Sequence, residues 1–446
     1  MRRVVRVVCL ALSLRASAAA AWLVSFHDGY ASSVAVDSTG GVVVGAAIQS
    51  MTVRNQYDGL VIKLSAVSGL EIWRRTVANG TIGNLVVDSH GDVIAAGRSV
   101  GASVLKLSGV TGSETWRYVL PDAEFSAVAV DAHGDVVAVG TIIGRIPVLS
   151  SAFVVVMLDG ADGSERWRRQ LPPSSEQPSD GAFGVAVDVA GDVVACGATK
   201  PAARRPTAFT VLKLSGRTGD VVWRRAMRGT GRGNDSCGAL AIDRSGHVVA
   251  VGRTVNAETE NSFTMVKLDG ANGRGIWRRI VVGSTHRQRA RARVVAITPN
   301  GDVIAAGSIS NRQSGVDVAV VKVAGATGLL RWRRMIHGRT HESLRDPPFP
   351  GEGVWDLAVD SQGDVVAAGA IIDAAPNAMS FMVTKLARTT GRVRWLRLVG
   401  VSGGSLALAV AVTPEGNVVA AGRLVSPTAS NPVVVQLDGT NGELTP

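Results

Sequence analysis

Cysteine is scarce in this 446-residue chain, with Cys9, Cys196 and Cys237 the only three. None stands in a Cys-x-x-Cys pattern or a Cys/His cluster, which argues against a zinc site. No stretch reaches the roughly 18 apolar residues of a membrane span. Charge is also sparse, at 19% against 46% apolar, so the chain is globular rather than disordered. No catalytic motif stands out. The net charge of +11 has two readings: an anionic partner, or the Arg-, Ala-, Gly- and Val-rich usage of a GC-rich genome.

Residues 1–20 read as an export leader. Arg2, Arg3 and Arg6 form a basic start, Val7 to Leu14 a short apolar run, and Ala16-Ser17-Ala18 a small-residue cleavage candidate. Arg15 interrupts the run and no acidic residue precedes Asp28, so an organelle transit peptide is the alternative. Cys9 has no lipobox before it. Residues 21–446 are expected to form one domain.

Within that domain one phrase recurs. Lys267-Leu-Asp-Gly-Ala-Asn-Gly-Arg-Gly-Ile-Trp277-Arg-Arg279 is a strand end, a tight Asp/Gly turn and a strand carrying one Trp; the phrase also ends at Trp73, Trp116, Trp167, Trp223, Trp332 and Trp395. A second signal opens each unit. An alternating apolar strand ends in Val-Asp or a relative (Val36-Asp37, Val87-Asp88, Val130-Asp131, Val187-Asp188, Ile242-Asp243, Ile297-Thr298, Val359-Asp360, Val412-Thr413), and a turn Gly follows each. Asp bonds its own backbone and Gly accepts positive φ, so Asp-x-x-Gly joins two strands. One Asp per turn is too few oxygens for a calcium loop. A Val/Ala-rich strand, a variable loop and a third strand complete a four-stranded unit. Trp-to-Trp spacings of 43 to 63 residues are those of propeller blades. The eighth unit lacks its Trp strand, while Ala21-Trp22-Leu-Val-Ser25 is a Trp strand without a unit. The expected fold is an all-β, eight-bladed propeller of four antiparallel strands per blade, its ring closed by the N-terminal strand.

The closing phrase resembles the tryptophan-docking repeat of quinoprotein-type (PQQ-like) eight-bladed propellers, through Thr111-Gly112…Trp116, Thr218-Gly219…Trp223 and Thr327-Gly328…Trp332. The opening phrase, as in Val185-Ala-Val-Asp-Val-Ala-Gly-Asp192, is similar to repeats of bacterial exported propellers. The resemblance covers nearly all of 22–446. It implies that each Trp packs against the next blade. Enzymes of the quinoprotein group carry adjacent cysteines beneath pyrroloquinoline quinone (PQQ) and acidic and Asn ligands for calcium. No adjacent Cys pair exists here. Non-enzymatic relatives act as scaffolds in the bacterial envelope.

The Trp residues are therefore expected to be staples between blades rather than carbohydrate platforms. Arg pairs such as Arg74-Arg75 and Arg224-Arg225 fall on outer edge strands, where charge discourages sheet-to-sheet association; no specific nucleic-acid motif accompanies them. The turns between strands one and two, and three and four, hardly vary. The other loops vary widely and share the opposite face, where functional residues usually sit. They hold Lys200, Arg204, Arg205, Arg228, Arg232, Arg287, Arg289, Arg291, Arg293, Arg339 and Arg345, with Arg287, Arg289, Arg291 and Arg339 as the anion-binding candidates. In the innermost strands, the positions four and five residues before the Val-Asp corner are mostly small or apolar, as at Ser32, Gly83, Ala127, Gly184, Ala239 and Val294. The exceptions, Asn84, Arg293, Trp355 and Asp356, are the candidate small-ligand site at the channel mouth. Cys196 and Cys237 are expected near the variable face in neighbouring blades, and pair there if their Cα atoms lie within about 7 Å.

The leading expectation is an exported, monomeric, non-enzymatic propeller that binds a protein or acidic polymer through its variable, Arg-rich face. No cofactor is expected. The alternative is a PQQ-dependent dehydrogenase using PQQ and calcium at the channel mouth, and a third reading is a purely structural surface protein.

Overall fold

In the computed structural model, the residues described are 22–50, 53, 56–99, 101–144, 151–171, 180–200, 205–285, 288–338, 352–372, 379–400, 404–426 and 429–444. They form eight sheets with no helix among them. The proposed leader lies outside them.

Six sheets are simple antiparallel meanders, and blade 5 is one with an added short strand. Blade 1, for instance, runs Gly29–Val36, Val42–Gln49, Tyr57–Leu64 and Glu71–Val77 in spatial order. The inner strands of blades 2 to 7 begin at Thr81, Ala123, Gly181, Ser236, Arg291 and Gly353. Blade 8 has three strands of its own, Leu406–Val412, Val418–Val425 and Ser430–Leu437, and takes its outer strand from Leu23–Ser25. Leu23, Val24 and Ser25 pair with Val435, Val434 and Val433. The expected closure is thus observed. Blade 5 departs from the meander in one respect: the two-residue strand Gln288–Arg289 pairs in parallel with Glu260 and Asn261.

The core lies between blades, not within them. Val43, Val61 and Trp73 of blade 1 pack on Ile82, Leu85, Val93 and Leu105 of blade 2. Trp22, Val419 and Val434 of blade 8 pack on Ala31, Leu60 and Ile62 of blade 1. A middle strand is covered on both faces, so it reads as an unbroken apolar run, as in Val136-Val-Ala-Val-Gly140; an outer strand such as Glu71–Val77 alternates instead.

The Trp staple is the same at all eight joints. Trp22, Trp73, Trp116, Trp167, Trp223, Trp277, Trp332 and Trp395 each donate an indole N–H, at 2.7–3.3 Å, to a turn carbonyl of the next blade: Ala66, Gly109, Gly160, Gly216, Gly270, Gly325, Arg388 and Gly439. The turn Gly three residues on lies flat against the indole. At Gly69 a Cβ would fall 2.6 Å from the Trp22 ring, and at Gly442 2.6 Å from that of Trp395; both glycines have positive φ, so contact and conformation each demand Gly.

A second tie uses the same carbonyls. Lys63, Lys106, Lys213, Lys267, Lys322 and Lys385 donate to Gly109, Gly160, Gly270, Gly325, Arg388 and Gly439 at 2.7–3.3 Å. Each also pairs with a turn carboxylate of its own blade, Asp37, Asp88, Asp188, Asp243, Asp302 or Asp360, at 2.7–3.2 Å. In Asp37 the other oxygen, Oδ1, accepts the amides of Thr39 and Gly41. The Asp-x-x-Gly carboxylates are therefore committed to turn and staple.

Near the opposite face, Cys196 of blade 4 and Cys237 of blade 5 form a disulfide with Cα atoms 5.7 Å apart.

Candidate binding site at the channel mouth

The chain enters each inner strand from the variable-loop face and leaves it at the turn face. In every blade this strand carries a β-bulge against the second strand. A bulge leaves one residue unpaired and bends its strand. The inner strand has a free edge only towards the channel, so the eight extra residues line the channel wall: Ser32, Gly83, Ser126, Phe183, Gly238, Arg293, Trp355 and Leu408. Opposite the bulge the second strand has Gly in seven blades. At Gly307, for example, a Cβ would lie 2.0 Å from the Arg291 carbonyl oxygen.

The bulge separates two positions that the sequence presents side by side. The residue after the extra one turns towards the next blade. Ser33 Oγ accepts the Leu85 amide at 3.1 Å, Asn84 Oδ1 the Val128 amide at 3.1 Å, and Asp356 Oδ2 the Val410 amide at 2.9 Å. Asp356 Oδ1 also accepts from Leu357, at 2.8 Å. Burial pushes the Asp356 carboxyl up to about 6, with the two amides pulling the other way.

Of the four channel candidates, only Arg293 and Trp355 come together, across blades 6 and 7; Asp356, one residue past the bulge, faces blade 8 instead. Asn84 belongs to blade 2, across the ring from them. The Arg293 guanidinium sits over the Trp355 ring, 5.2 Å from its centroid, a cation–π contact. Arg291, one of the four anion-binding candidates, opens the same inner strand and stands beside Arg293. Arg289 lies in the short extra strand; Arg287 and Arg339 lie outside the described residues.

Arg253 joins this group without having been singled out from the sequence, and Arg423 holds the matching position in blade 8. Arg253 ends the pairing of blade 5 opposite Ser236, and Arg423 that of blade 8 opposite Leu406. The signal was present: the residue after the strand-two Gly is Thr141, Ala198, Ser308 or Ala370 in four blades, but Arg in Arg98, Arg253 and Arg423.

The arginines at blades 5 and 6 repel one another. Burial lowers the Arg293 pKa to about 10, with Arg291 adding to the effect. Arg291 is lowered by burial and then by Arg253. Arg253 is lowered by burial, with Asp235 opposing. The Nε atoms of Arg253, Arg293 and Arg423 are buried and make no hydrogen bond. Arg253 donates once, from Nη2 to the Asn234 carbonyl at 3.1 Å, but no ion pair forms with any of the three mouth arginines among the described residues. Arg98, at the same position of blade 2 as Arg253, pairs with Glu124 at 2.9 Å.

PQQ and calcium would require a cluster of acidic and Asn oxygens near adjacent cysteines. Here both oxygens of Asp356 and the Oδ1 of Asn84 hold backbone amides, the cysteines bridge two blades over a separation of 41 residues, and among the described residues no group of three or more His, Cys, Asp or Glu is placed to hold a metal. These residues do not fit the calcium–quinone set. A groove of about 480 Å³ lies elsewhere, on the turn face between blades 6 and 7, lined by Thr298, Arg331, Gln362 and Arg388 among others. Its Arg388 already donates to the Gln362 carbonyl at 2.7 Å.

Comparison with known proteins gives a family and a fold. The family model described as outer membrane protein assembly factor BamB matches residues 13–200 and 57–314. Among solved structures, the Dos1 propeller aligns with a TM-score of 0.58 at 10% identity over 96% of this chain and 97% of that one. A europium-containing methanol dehydrogenase aligns with a TM-score of 0.54 at 12% identity over 91% and 84%. The crystal structure of BamB from Moraxella catarrhalis aligns with a TM-score of 0.49 at 15% identity over 90% and 95%. At these identities structural likeness speaks for the fold alone. No curated protein sequence matches significantly.

Proposed function

The chain belongs to the family described as outer membrane protein assembly factor BamB, and on that premise we propose that it is an exported, non-enzymatic propeller, a binding or scaffold module that engages a protein or acidic polymer through its variable-loop face. The observation that carries this reading is the division of labour between faces. On the turn face, Asp carboxylates and lysines are committed to turns and to ties between blades. On the loop face, Arg205, Arg232 and Arg312 are exposed on loops that differ from blade to blade. Such loops carry recognition while the scaffold stays fixed. The Cys196–Cys237 bridge supports an oxidising compartment, and so does the reading of residues 1–20 as a leader. The dehydrogenase alternative draws no support from the donor set at the channel mouth.

The test is retention on immobilised heparin, a polyanion, across a salt gradient. Exposed charges are screened over about 8 Å at physiological salt, so elution should be steeply salt-dependent. Replacing Arg205, Arg232 and Arg312 together by Ser should move elution to lower salt. Replacing the exposed turn-face residues Arg217, Arg244 and Arg274 by Ser should move it less. Equal shifts for the two triples would mean that net charge, not the loop face, governs binding, and the proposal would fall.

A further inference from the structure

We infer that the arc formed by Arg253, Arg291 and Arg293 beside Trp355 is a binding site for a carboxylate carried on an organic body, held at the mouth of the central channel. This goes beyond the face-level reading above and would stand even if the loop face bound nothing.

Three observations carry it. First, the arc holds cations without anions. A buried charge is normally paired and hydrogen-bonded, yet Arg253 and Arg293 each keep a buried Nε with no partner, and no carboxylate pairs with any of the three among the described residues. Second, the arrangement is local. Arg98, at the position of Arg253 but across the ring, is neutralised by Glu124, so a shortage of acids in the fold does not explain the arc. The channel wall on that side is Ser32, Gly83 and Ser126, small and uncharged. Third, the geometry suits a planar anion with carbon attached. Guanidinium groups present parallel N–H pairs that match a carboxylate. Arg293 is held in orientation by its stack on Trp355, and Trp355, packed with Leu408 on one apolar cluster, supplies apolar wall. That wall favours an organic acid over a bare inorganic oxyanion. Burial lowers all three arginines, and like-charge repulsion adds to it at Arg291 and Arg293; that repulsion is relieved when an anion binds.

A carboxylate reaches the mouth either as a free small acid or as an acidic side chain of a peptide. Calorimetric titration of the full chain with succinate, and separately with the capped peptide Ac-Glu-Gly-Glu-NH2, distinguishes these sources; succinamide, Ac-Gln-Gly-Gln-NH2 and inorganic phosphate are the controls. Saturable binding of succinate alone identifies a small-acid site, and of the peptide alone a side-chain site; either supports the inference. Arg293→Met, which keeps the stack on Trp355, should weaken that binding roughly tenfold to a hundredfold, the range for a charged hydrogen bond converted to affinity. Arg98→Met should leave it unchanged. Without ligand, Arg293→Met should melt at the same temperature as the parent or higher, because it removes an unpaired buried charge. The inference is overturned if neither acid saturates, if the amides or phosphate bind as tightly as the acids, if Arg293→Met leaves affinity unchanged, or if Arg293→Met lowers the melting temperature, which would make Arg293 a structural residue.

Discussion

The two ends of the blades treat buried charge in opposite ways. At the turn face, six lysines with side chains only 7–12% exposed each hold a carboxylate of their own blade and a carbonyl of the next. At the channel mouth, Arg253, Arg291 and Arg293 hold no acid at all. The first arrangement repeats around the ring and is spent on architecture; the second occurs once, on one arc, and architecture does not explain it. Unpaired buried charge lowers stability, so its retention points to a use outside the fold. Blades 3 and 8 sharpen the point. Met157 and Gln436 stand where the others have Lys, and in blade 8 the corner Asp is replaced as well, by Thr413. In blade 8 cation and corner anion are lost together, as a purely structural pair allows, while blade 3 keeps Asp131 without the lysine.

The largest expected effect breaks a turn-face joint outright. Trp22→Ala removes the indole that joins blade 8 to blade 1 and should cost about 3–5 kcal/mol; a melting curve matching the parent would show that the N-terminal strand does not bear on the closed ring. Lys267→Gln leaves Asp243 without its cation and should cost about 3 kcal/mol, the lower end for a broken buried pair. Adding Asp243→Thr reproduces the blade 8 chemistry and should restore most of the loss in chemical denaturation; a double variant no better than the single would mean that the pair is not a unit. The loop face has one covalent joint for comparison. Replacing Cys196 and Cys237 by Ala should cost about 2–4 kcal/mol, and parent and variant should converge once reductant is present. If thiol titration of the denatured but unreduced chain finds Cys196 and Cys237 both reactive, the bridge is absent.

The smallest effect depends on pH. The Asp356 carboxyl is raised above its ordinary value, so protonation favours the folded state. That contribution is full below the ordinary carboxylate range and is lost as pH rises through about 6. Asn is the natural occupant of the same position in blade 2, where Asn84 accepts the Val128 amide. Asp356→Asn should therefore match or exceed the parent near pH 7.5, and its relative advantage should shrink as pH falls towards 5. A difference in melting temperature that stays constant across this window would show that Asp356 does not titrate there.

The fold was legible because its signals are local and repeated. Asp-Gly turn, Gly and Trp recur within a dozen residues, and each unit carries its own copy. Ring closure was legible by complement, from a unit without a Trp strand and a Trp strand without a unit. The site was legible only in part. Arg293 and Trp355 stood out because most other blades have small or apolar groups at these positions. Arg253 did not, since its neighbours at the mouth come from another blade, and contact between blades leaves no trace in local spacing. The bulge was the other obstacle. It breaks the two-residue alternation, so Trp355 and Asp356 look equivalent in the sequence but face the channel and the next blade respectively. The Gly opposite the bulge was the available marker, since Gly inside a strand often signals one.

Closure by the first strand also sets a schedule for the nascent chain. Leu23 pairs with Val435, so the closing strand must wait for a partner made about 400 residues later. At ribosomal rates of about 5–20 residues per second that wait is roughly 20–80 s. During that time blade 1 shows an uncovered apolar face and the strand beginning at Trp22 has no sheet to join. Contacts so distant along the chain also form slowly. The ring therefore cannot lock until its eighth blade has been made, and up to that point the first blade depends on a partner that does not yet exist.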